Sequence, residues 1–207
     1  MQAVKLFLML LLTTAGIALL MPFAACSSEQ PPGSGANANP SVSPALSDRI
    51  TLPNPRREFL AANGKYAFVV ATQDGWKSPH GTGELFAVAG GNRTSIWAHE
   101  LQQQFGPRFV LVSNTGTVLM LDEWINVATP RAIVIFDRSG KLVAQHSTEA
   151  VQAVVNVPMN DIVRLAKQGW WITEPPTLNS AGDQVRVATG GKRLDIRVAD
   201  GRLSLAP

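Results

Sequence analysis

The sequence predicts a mainly β domain of antiparallel, blade-like repeats, forming a meander as a partial propeller or a compact β domain with one short helix. A related pattern recurs near residues 64–101, 112–150 and 170–205, and a period in the forties is typical of repeat architectures. In each copy, runs of apolar and β-branched residues flank turns that contain glycine or asparagine, which is the pattern of a β-hairpin. These two observations carry the expected fold class.

The chain begins with a pattern typical of a secretory signal peptide, to which we assign residues 1–25. Lys5 precedes an uncharged apolar run over residues 6–20. This run of about 15 residues is shorter than the roughly 20 that a transmembrane helix needs. We therefore expect the chain to be exported.

The only cysteine, Cys26, follows this run directly after Phe23-Ala24-Ala25. Small residues just before such a cysteine resemble the lipobox of bacterial lipoproteins. The resemblance implies cleavage before Cys26, lipid attachment (palmitate included) to its thiol, and anchoring in a membrane of the cell envelope. In a Gram-negative host, the serines that follow imply the outer membrane, at its periplasmic or surface face. Ordinary signal cleavage that leaves a free thiol and a retained N-terminal helix are the alternatives.

Residues 26–55 are expected to be the lipidated cysteine and a flexible linker, and residues 56–207 the β-rich domain. The linker is dominated by Pro, Ser, Gly, Ala and Asn, so it lacks the apolar content that offsets the entropy of ordering. The formal net charge of the chain is +3, but basic and acidic residues alternate, as in residues 192–202. Nucleic-acid binding proteins concentrate their basic residues on one face, so we expect no nucleic-acid partner.

Four hairpins and one helix follow from local signals. The hairpins are expected over residues 84–97, 132–145, 184–198 and 195–205. The last of them contains Asp200-Gly201, the strongest hairpin turn signal of the chain. Residues 160–168 are expected to form a short helix capped by Asn160 or Asp161, and residues 98–105 could add a helical turn or two.

Strand-rich units of this length, with a tryptophan and a Gly-Lys turn, resemble the blades of β-propellers. They also resemble uncharacterised exported bacterial proteins, a resemblance that implies no activity. A closed propeller needs four or more blades. The chain has room for about three, so we expect a partial propeller, a compact meander or closure by oligomerisation.

The Asp-x-Trp motif of the first two copies is the main candidate for chemistry. When the two copies are aligned on this motif, Asp74 falls on Asp122 and Trp76 falls on Trp124. An indole and a carboxylate together could bind a sugar. Alternatively, the tryptophans fill the core and the aspartates accept hydrogen bonds from turn amides, which the repetition favours.

A second candidate is the pair Trp170-Trp171. Neighbours in a strand face opposite sides, so one of the two is expected in the core and the other at least partly exposed. The candidate binding surface therefore comprises four tryptophans: Trp76, Trp124, Trp170 and Trp171.

No motif indicates catalysis, a cofactor or a metal. His99-Glu100 begins like a zincin helix, but Gln103 stands where the second histidine is required. We expect no catalytic residue, no metal ligand and no cofactor. The sequence thus predicts a lipid-anchored envelope protein that binds or scaffolds an envelope protein or glycan. The alternative is a protein that binds or hydrolyses envelope polysaccharide.

Overall fold

The computed structural model describes residues 51–206, which form twelve β-strands and two short α-helices. The strands make three four-stranded antiparallel sheets, and within each sheet neighbouring strands are consecutive in the chain. The expected mainly β class with antiparallel, blade-like meanders is confirmed, although there are two helices rather than one. The expected signal peptide, Cys26 and the linker up to residue 50 lie outside the described residues.

The elements are numbered in chain order. Sheet 1 contains β1 (Arg56–Leu60), β2 (Tyr66–Ala71), β3 (Gly81–Ala89) and β4 (Asn92–Leu101). Sheet 2 contains β5 (Pro107–Val112), β6 (Val118–Glu123), β7 (Ile133–Phe136) and β8 (Leu142–His146). The helices α1 (Thr148–Val155) and α2 (Met159–Leu165) follow. Sheet 3 contains β9 (Thr177–Leu178), β10 (Gln184–Thr189), β11 (Lys192–Arg197) and β12 (Leu203–Leu205).

Sheet 2 lies between the other two sheets and contributes one face to each of two hydrophobic cores. Along β6, Val118 and Met120 belong to the core shared with sheet 1, whereas Leu119 and Leu121 belong to the core shared with the helices and sheet 3. This is the side-chain alternation of a strand, here with apolar residues on both faces. All four side chains are buried, so the three sheets pack face to face as successive blades.

The two end sheets of this stack present polar outer faces. On sheet 1, the Arg93 guanidinium donates two hydrogen bonds of 2.7 Å to the Glu58 carboxylate and so joins β4 to β1. On sheet 3, Arg186 donates to both carboxylate oxygens of Asp195, at 2.8 and 3.1 Å. Polar outer faces are what the terminal units of a repeat stack require for solubility.

One histidine contact links sheet 1 to sheet 2, and a second histidine contact links sheet 2 to sheet 3. His99 in β4 contacts the carbonyl oxygen of Gly140 at 2.9 Å, and His146 at the end of β8 contacts the carbonyl oxygen of Gly201 at 2.8 Å. Each glycine lies in the turn between the third and fourth strands of its sheet. A Cβ at Gly140 would lie 2.8 Å from the Trp97 ring, so this close approach requires glycine. The same contact at both junctions identifies the sheets as structural repeats.

The strands align the first two copies differently from the expected alignment. Tyr66 and Val118, which begin β2 and β6, occupy equivalent positions, and so do Gly81 and Ile133, which begin β3 and β7. In this alignment the two Asp-x-Trp motifs are not equivalent. The first lies in the loop after β2, whereas the second begins inside β6, at Asp122.

The helices differ from the expectation in position and number. Residues 98–101 belong to β4 and pair with β3, so no helix forms there. The expected helix over residues 160–168 corresponds to α2, which follows Pro158 and has no side-chain cap. The unexpected helix α1 begins after Ser147, whose side chain accepts a hydrogen bond from the Ala150 amide.

Candidate functional site

The first described residues contact the loops that follow β2 and β6. We call residues 51–55 the strap, because donors from two loops hold its backbone carbonyls. The hydrogen bonds run from Trp124 Nε1 to Thr51 O (2.6 Å), from Trp76 Nε1 to Asn54 O (3.4 Å) and from the Thr72 amide to Pro55 O (2.9 Å). Pro53, at the middle of the strap, is buried. Two of the four candidate tryptophans thus meet at one groove, whose occupant is the chain itself.

Two guanidinium groups lie close to the indole ring of Trp124. Arg57 Cζ is 5.1 Å from the centre of the ring and Arg108 Cζ is 5.0 Å from it. Both distances are within the range of cation–π attraction. Because Arg57 belongs to β1 and Arg108 to β5, the stack joins sheet 1 to sheet 2 beside the strap.

Backbone carbonyls fix both arginines. Arg57 donates to the carbonyl oxygens of Pro107 (2.7 Å) and Arg108 (3.4 Å), while Arg108 donates to the carbonyl oxygen of Trp124 and to Asn126 Oδ1. Burial, together with the neighbouring Arg108 charge, lowers the pKa of Arg57 to about 10. Arg57 therefore stays cationic at neutral pH.

Trp76 is a core residue with one polar contact. Its side chain is 2% exposed, and a Cβ at Gly81 would lie 2.8 Å from its ring. It adopts a left-handed backbone with φ 65°, next to Gly75 at φ 68°, and this turn carries the ring into the core. Trp76 therefore offers only its indole N–H to the groove. A buried ring agrees with the interpretation in which the tryptophans of the Asp-x-Trp motifs fill the core.

Asp74 stabilises the loop between β2 and β3. Its carboxylate accepts hydrogen bonds from the Ser78 amide (2.8 Å) and the Thr72 hydroxyl (2.7 Å). Hydrogen bonding, first to the Ser78 side chain and then to the Thr72 side chain, lowers the pKa of Asp74 to about 2. An always-ionised aspartate that accepts turn amides fits the second interpretation of the Asp-x-Trp motif.

The same loop forms one wall of an open cleft of about 320 Å³ on sheet 1. The lining residues are Ala71, Thr72, Gln73, Asp74, Ser78, His80, Gly81, Thr82 and Glu100. His80 Nδ1 lies 3.5 Å from Glu100 Oε1, and both side chains are about two-thirds exposed, at 68% and 65%. The cleft thus presents carboxylates, hydroxyls and an imidazole to solvent. Thr72, whose amide holds the strap, is also one of its lining residues.

Asp122 has a different role from Asp74. It is fully buried and has a left-handed backbone with φ 59°. Its carboxylate accepts the Trp170 amide at 2.9 Å and lies 3.5 Å from Arg108 Nε. Burial raises the pKa of Asp122 to about 6. A Cβ at Gly169 would clash with Asp122 Oδ2, so the loop before sheet 3 is fitted closely onto this carboxylate.

Trp170 and Trp171 lie in irregular structure rather than in a strand. Trp171 is fully buried in the core that sheet 2 shares with the helices and sheet 3, and Trp170 is partly buried against that core. The expected difference in exposure is present, but Trp171 cannot contact a partner from inside the core. Trp171 is thus the core member of the pair, and Trp170 is the partly exposed one.

The structure therefore assembles part of the expected tryptophan surface and adds residues that sequence reasoning missed. Trp124 and the N–H of Trp76 meet at the strap, while Trp170 and Trp171 belong to the other core. The missed residues are Arg57 and Arg108. No local pattern marks them, because they meet the indole only when β1 and β5 pack together.

No group of three or more His, Cys, Asp or Glu side chains in residues 51–206 is arranged to hold a metal ion. Neither helix in that part of the chain has the length and apolar character to cross a membrane. Comparison of the chain with protein-family models and with curated proteins finds no match.

Proposed function

We propose that this chain is a lipid-anchored protein of the cell envelope whose domain is a non-enzymatic binding or scaffolding module. The apolar run over residues 6–20 and the lipobox-like residues before Cys26 support the anchor. The observation that carries the proposal for the domain is the strap. The chain that would lead from the anchor is fastened to the junction of sheets 1 and 2 by Trp124 and Trp76.

This attachment suits a module that is presented on a tether. Fastening the strap fixes the point at which the linker leaves the domain, and therefore limits the orientations of the domain relative to the anchor. The outer face of sheet 3 lies on the opposite side of sheet 2 from the core that sheet 1 shares. That face stays clear of the strap and is available to a partner.

The anchor is tested by metabolic labelling with radioactive palmitate in the native host. We expect label in the wild-type chain, no label in Cys26→Ser, and loss of the variant from the membrane fraction. A chain that stays unlabelled, or a Cys26→Ser variant that stays membrane-bound, would contradict the lipid anchor.

The binding role is tested by crosslinking in intact cells followed by mass spectrometry of the captured material. We expect a discrete envelope protein that is captured by the wild-type chain and in lower yield by Cys26→Ser, which lacks the proposed anchor. Capture of no partner by the wild-type chain would contradict the scaffolding role.

A second candidate function, binding of envelope polysaccharide, is favoured by the cleft on sheet 1. Carboxylates and hydroxyls are the groups that bind sugar hydroxyls, and Asp74, Thr82 and Glu100 line the cleft. Hydrolysis is less well supported than binding. A glycosidase needs a carboxylic acid of raised pKa, whereas the pKa of Asp74 is lowered to about 2.

Calorimetric titration of the purified chain with oligosaccharides from the host envelope tests this candidate. Glu100→Gln should weaken binding, while Glu149→Gln, a matched change outside the cleft, should leave it unchanged. Release of reducing ends by the wild-type chain would instead support the hydrolase alternative. Equal binding by both variants would remove the cleft from consideration.

A further inference from the structure

The groove recognises features of the strap that many peptides share. All three hydrogen bonds go to backbone carbonyl oxygens. The strap contains Pro53 and Pro55, which restrict φ to about −65° and push Leu52 and Asn54 towards extended conformations. Indole N–H donors facing the carbonyls of an extended, proline-containing segment are the chemistry by which aromatic grooves bind polyproline-type peptides.

The principal donor of the groove is held in place independently of the strap. The Trp124 ring is in cation–π contact with Arg57 and Arg108, and those arginines donate to carbonyls outside residues 51–55. A donor fixed before the ligand arrives avoids the entropic cost of ordering on binding. The groove would therefore keep its shape if the strap left it.

The occupied groove is also open to solvent at one end. The hydrogen bond between Trp124 and Thr51 lies in an exposed position. Among the large hydrophobic side chains exposed in residues 51–206, Val127 (42%) follows Trp124 by three residues in the chain, whereas Leu52 (41%) belongs to the strap itself. The indole N–H at this end is therefore accessible to a second peptide once the strap leaves it.

We infer that the groove formed by Trp76, Trp124 and Thr72 is a docking site for an extended, proline-containing segment of a partner protein, which exchanges with the strap. This inference rests on the proposed binding role and names the chemistry of the partner. The strap is the cis ligand of the groove. Because it is covalently attached, it competes at a high effective concentration, and a segment in trans binds well only when the strap is weakened or released.

The test uses the purified full-length chain and a fluorescently labelled synthetic peptide with the sequence of residues 49–57. In the strap variant, Leu52, Pro53 and Pro55 are replaced by glycine. Fluorescence anisotropy should show the peptide binding to the strap variant at least about tenfold more tightly than to the wild type, because the cis competitor is weakened. A peptide with both prolines replaced by glycine should bind more weakly.

Trp124→Phe in the strap variant keeps an aromatic ring near the two arginines but removes the indole N–H. It should weaken peptide binding about fivefold, as expected for one lost hydrogen bond. Trp170→Phe, a matched change outside the groove, should have no effect. Failure of the peptide to bind the strap variant, or equal binding after both tryptophan substitutions, would overturn the inference.

If the strap variant does not fold, nuclear magnetic resonance of the wild-type chain decides the question. Excess peptide should shift the Trp124 indole N–H resonance and leave that of Trp170 unmoved, and an unmoved Trp124 resonance would refute the docking site. A crosslinked partner captured in cells by a chain that binds no such peptide would overturn this inference while leaving the binding role intact.

Discussion

Asp122→Asn tests whether the buried carboxylate at the junction of sheets 2 and 3 opposes folding at neutral pH. Burial raises the pKa of Asp122 from its ordinary 3.8 to about 6. A folded-state pKa above the unfolded value means that the folded chain binds the extra proton. The group therefore contributes stability below about pH 4, and this contribution is lost as the pH rises through about 6.

The magnitude follows from the shift. Each pKa unit corresponds to about 1.4 kcal/mol, so the whole shift of about two units is worth about 3 kcal/mol. Because the unfolded group is already partly ionised at pH 4, the wild type should lose about 2 kcal/mol of this relative to the variant between about pH 4 and pH 7. Asparagine has the size of the protonated aspartate and an Oδ1 that can accept the Trp170 amide. It also tolerates the left-handed backbone at this position better than most residues do.

Urea unfolding of both proteins across this pH range measures the difference. As the pH rises from about 4 to 7, the free energy of unfolding of the wild type should fall relative to that of Asp122→Asn. The wild type is therefore favoured in acid and the variant at neutral pH. The matched control is Asp161→Asn, because Asp161 is 46% exposed and pairs with Arg164 on the surface. Its effect should be small throughout. Parallel curves for wild type and Asp122→Asn would refute the raised pKa and its cause.

Three further predictions concern stability. Gly169→Ala should destabilise the fold severely, because its Cβ would clash with a buried carboxylate oxygen. Gly64→Ala, also at positive φ but with open space around it, should show only backbone strain. Equal losses of stability in chemical unfolding would contradict the steric argument. Trp171→Ala should cost about 3–5 kcal/mol of unfolding free energy in the same assay, since the ring is fully buried, and a near-neutral effect would argue against that burial. Glu58→Gln breaks a part-exposed pair with Arg93. It should cost under about 1 kcal/mol at pH 7 and little in high salt, as thermal unfolding can show.

The hairpins could be predicted from the sequence because their signals are local. Turns such as Asp200-Gly201 require positive φ, and only a few residue types supply it without strain. The expected strand runs beside these turns agree with the sheets, from the β3–β4 pair to the β11–β12 pair. Sequence was less informative about α1, although Ser147 carries a recognisable N-cap signal.

The candidate groove could not be predicted, because its parts are distant in the chain. Thr51 and Trp124 are 73 residues apart, and nothing in either segment indicates the other. The repeat alignment failed for a related reason. The tripeptides that begin at Asp74 and Asp122 match by coincidence. When the two repeats are aligned by their strands, the residue equivalent to Asp74 is Asn126. The burial of the individual tryptophans could not be predicted either. Whether an indole packs against a glycine, as Trp76 does against Gly81, depends on how the strands pair and not on the sequence around the tryptophan.

The shared position of sheet 2 also determines how the domain should open. Because β6 supplies side chains to both cores, sheet 2 cannot unfold without emptying both of them, whereas either end sheet can detach from one core alone. Amide hydrogen exchange should therefore be slowest in β6 and β7. Detachment of either end sheet would leave an intermediate with two folded sheets. If sheet 1 is the one that detaches, the strap should be released with it.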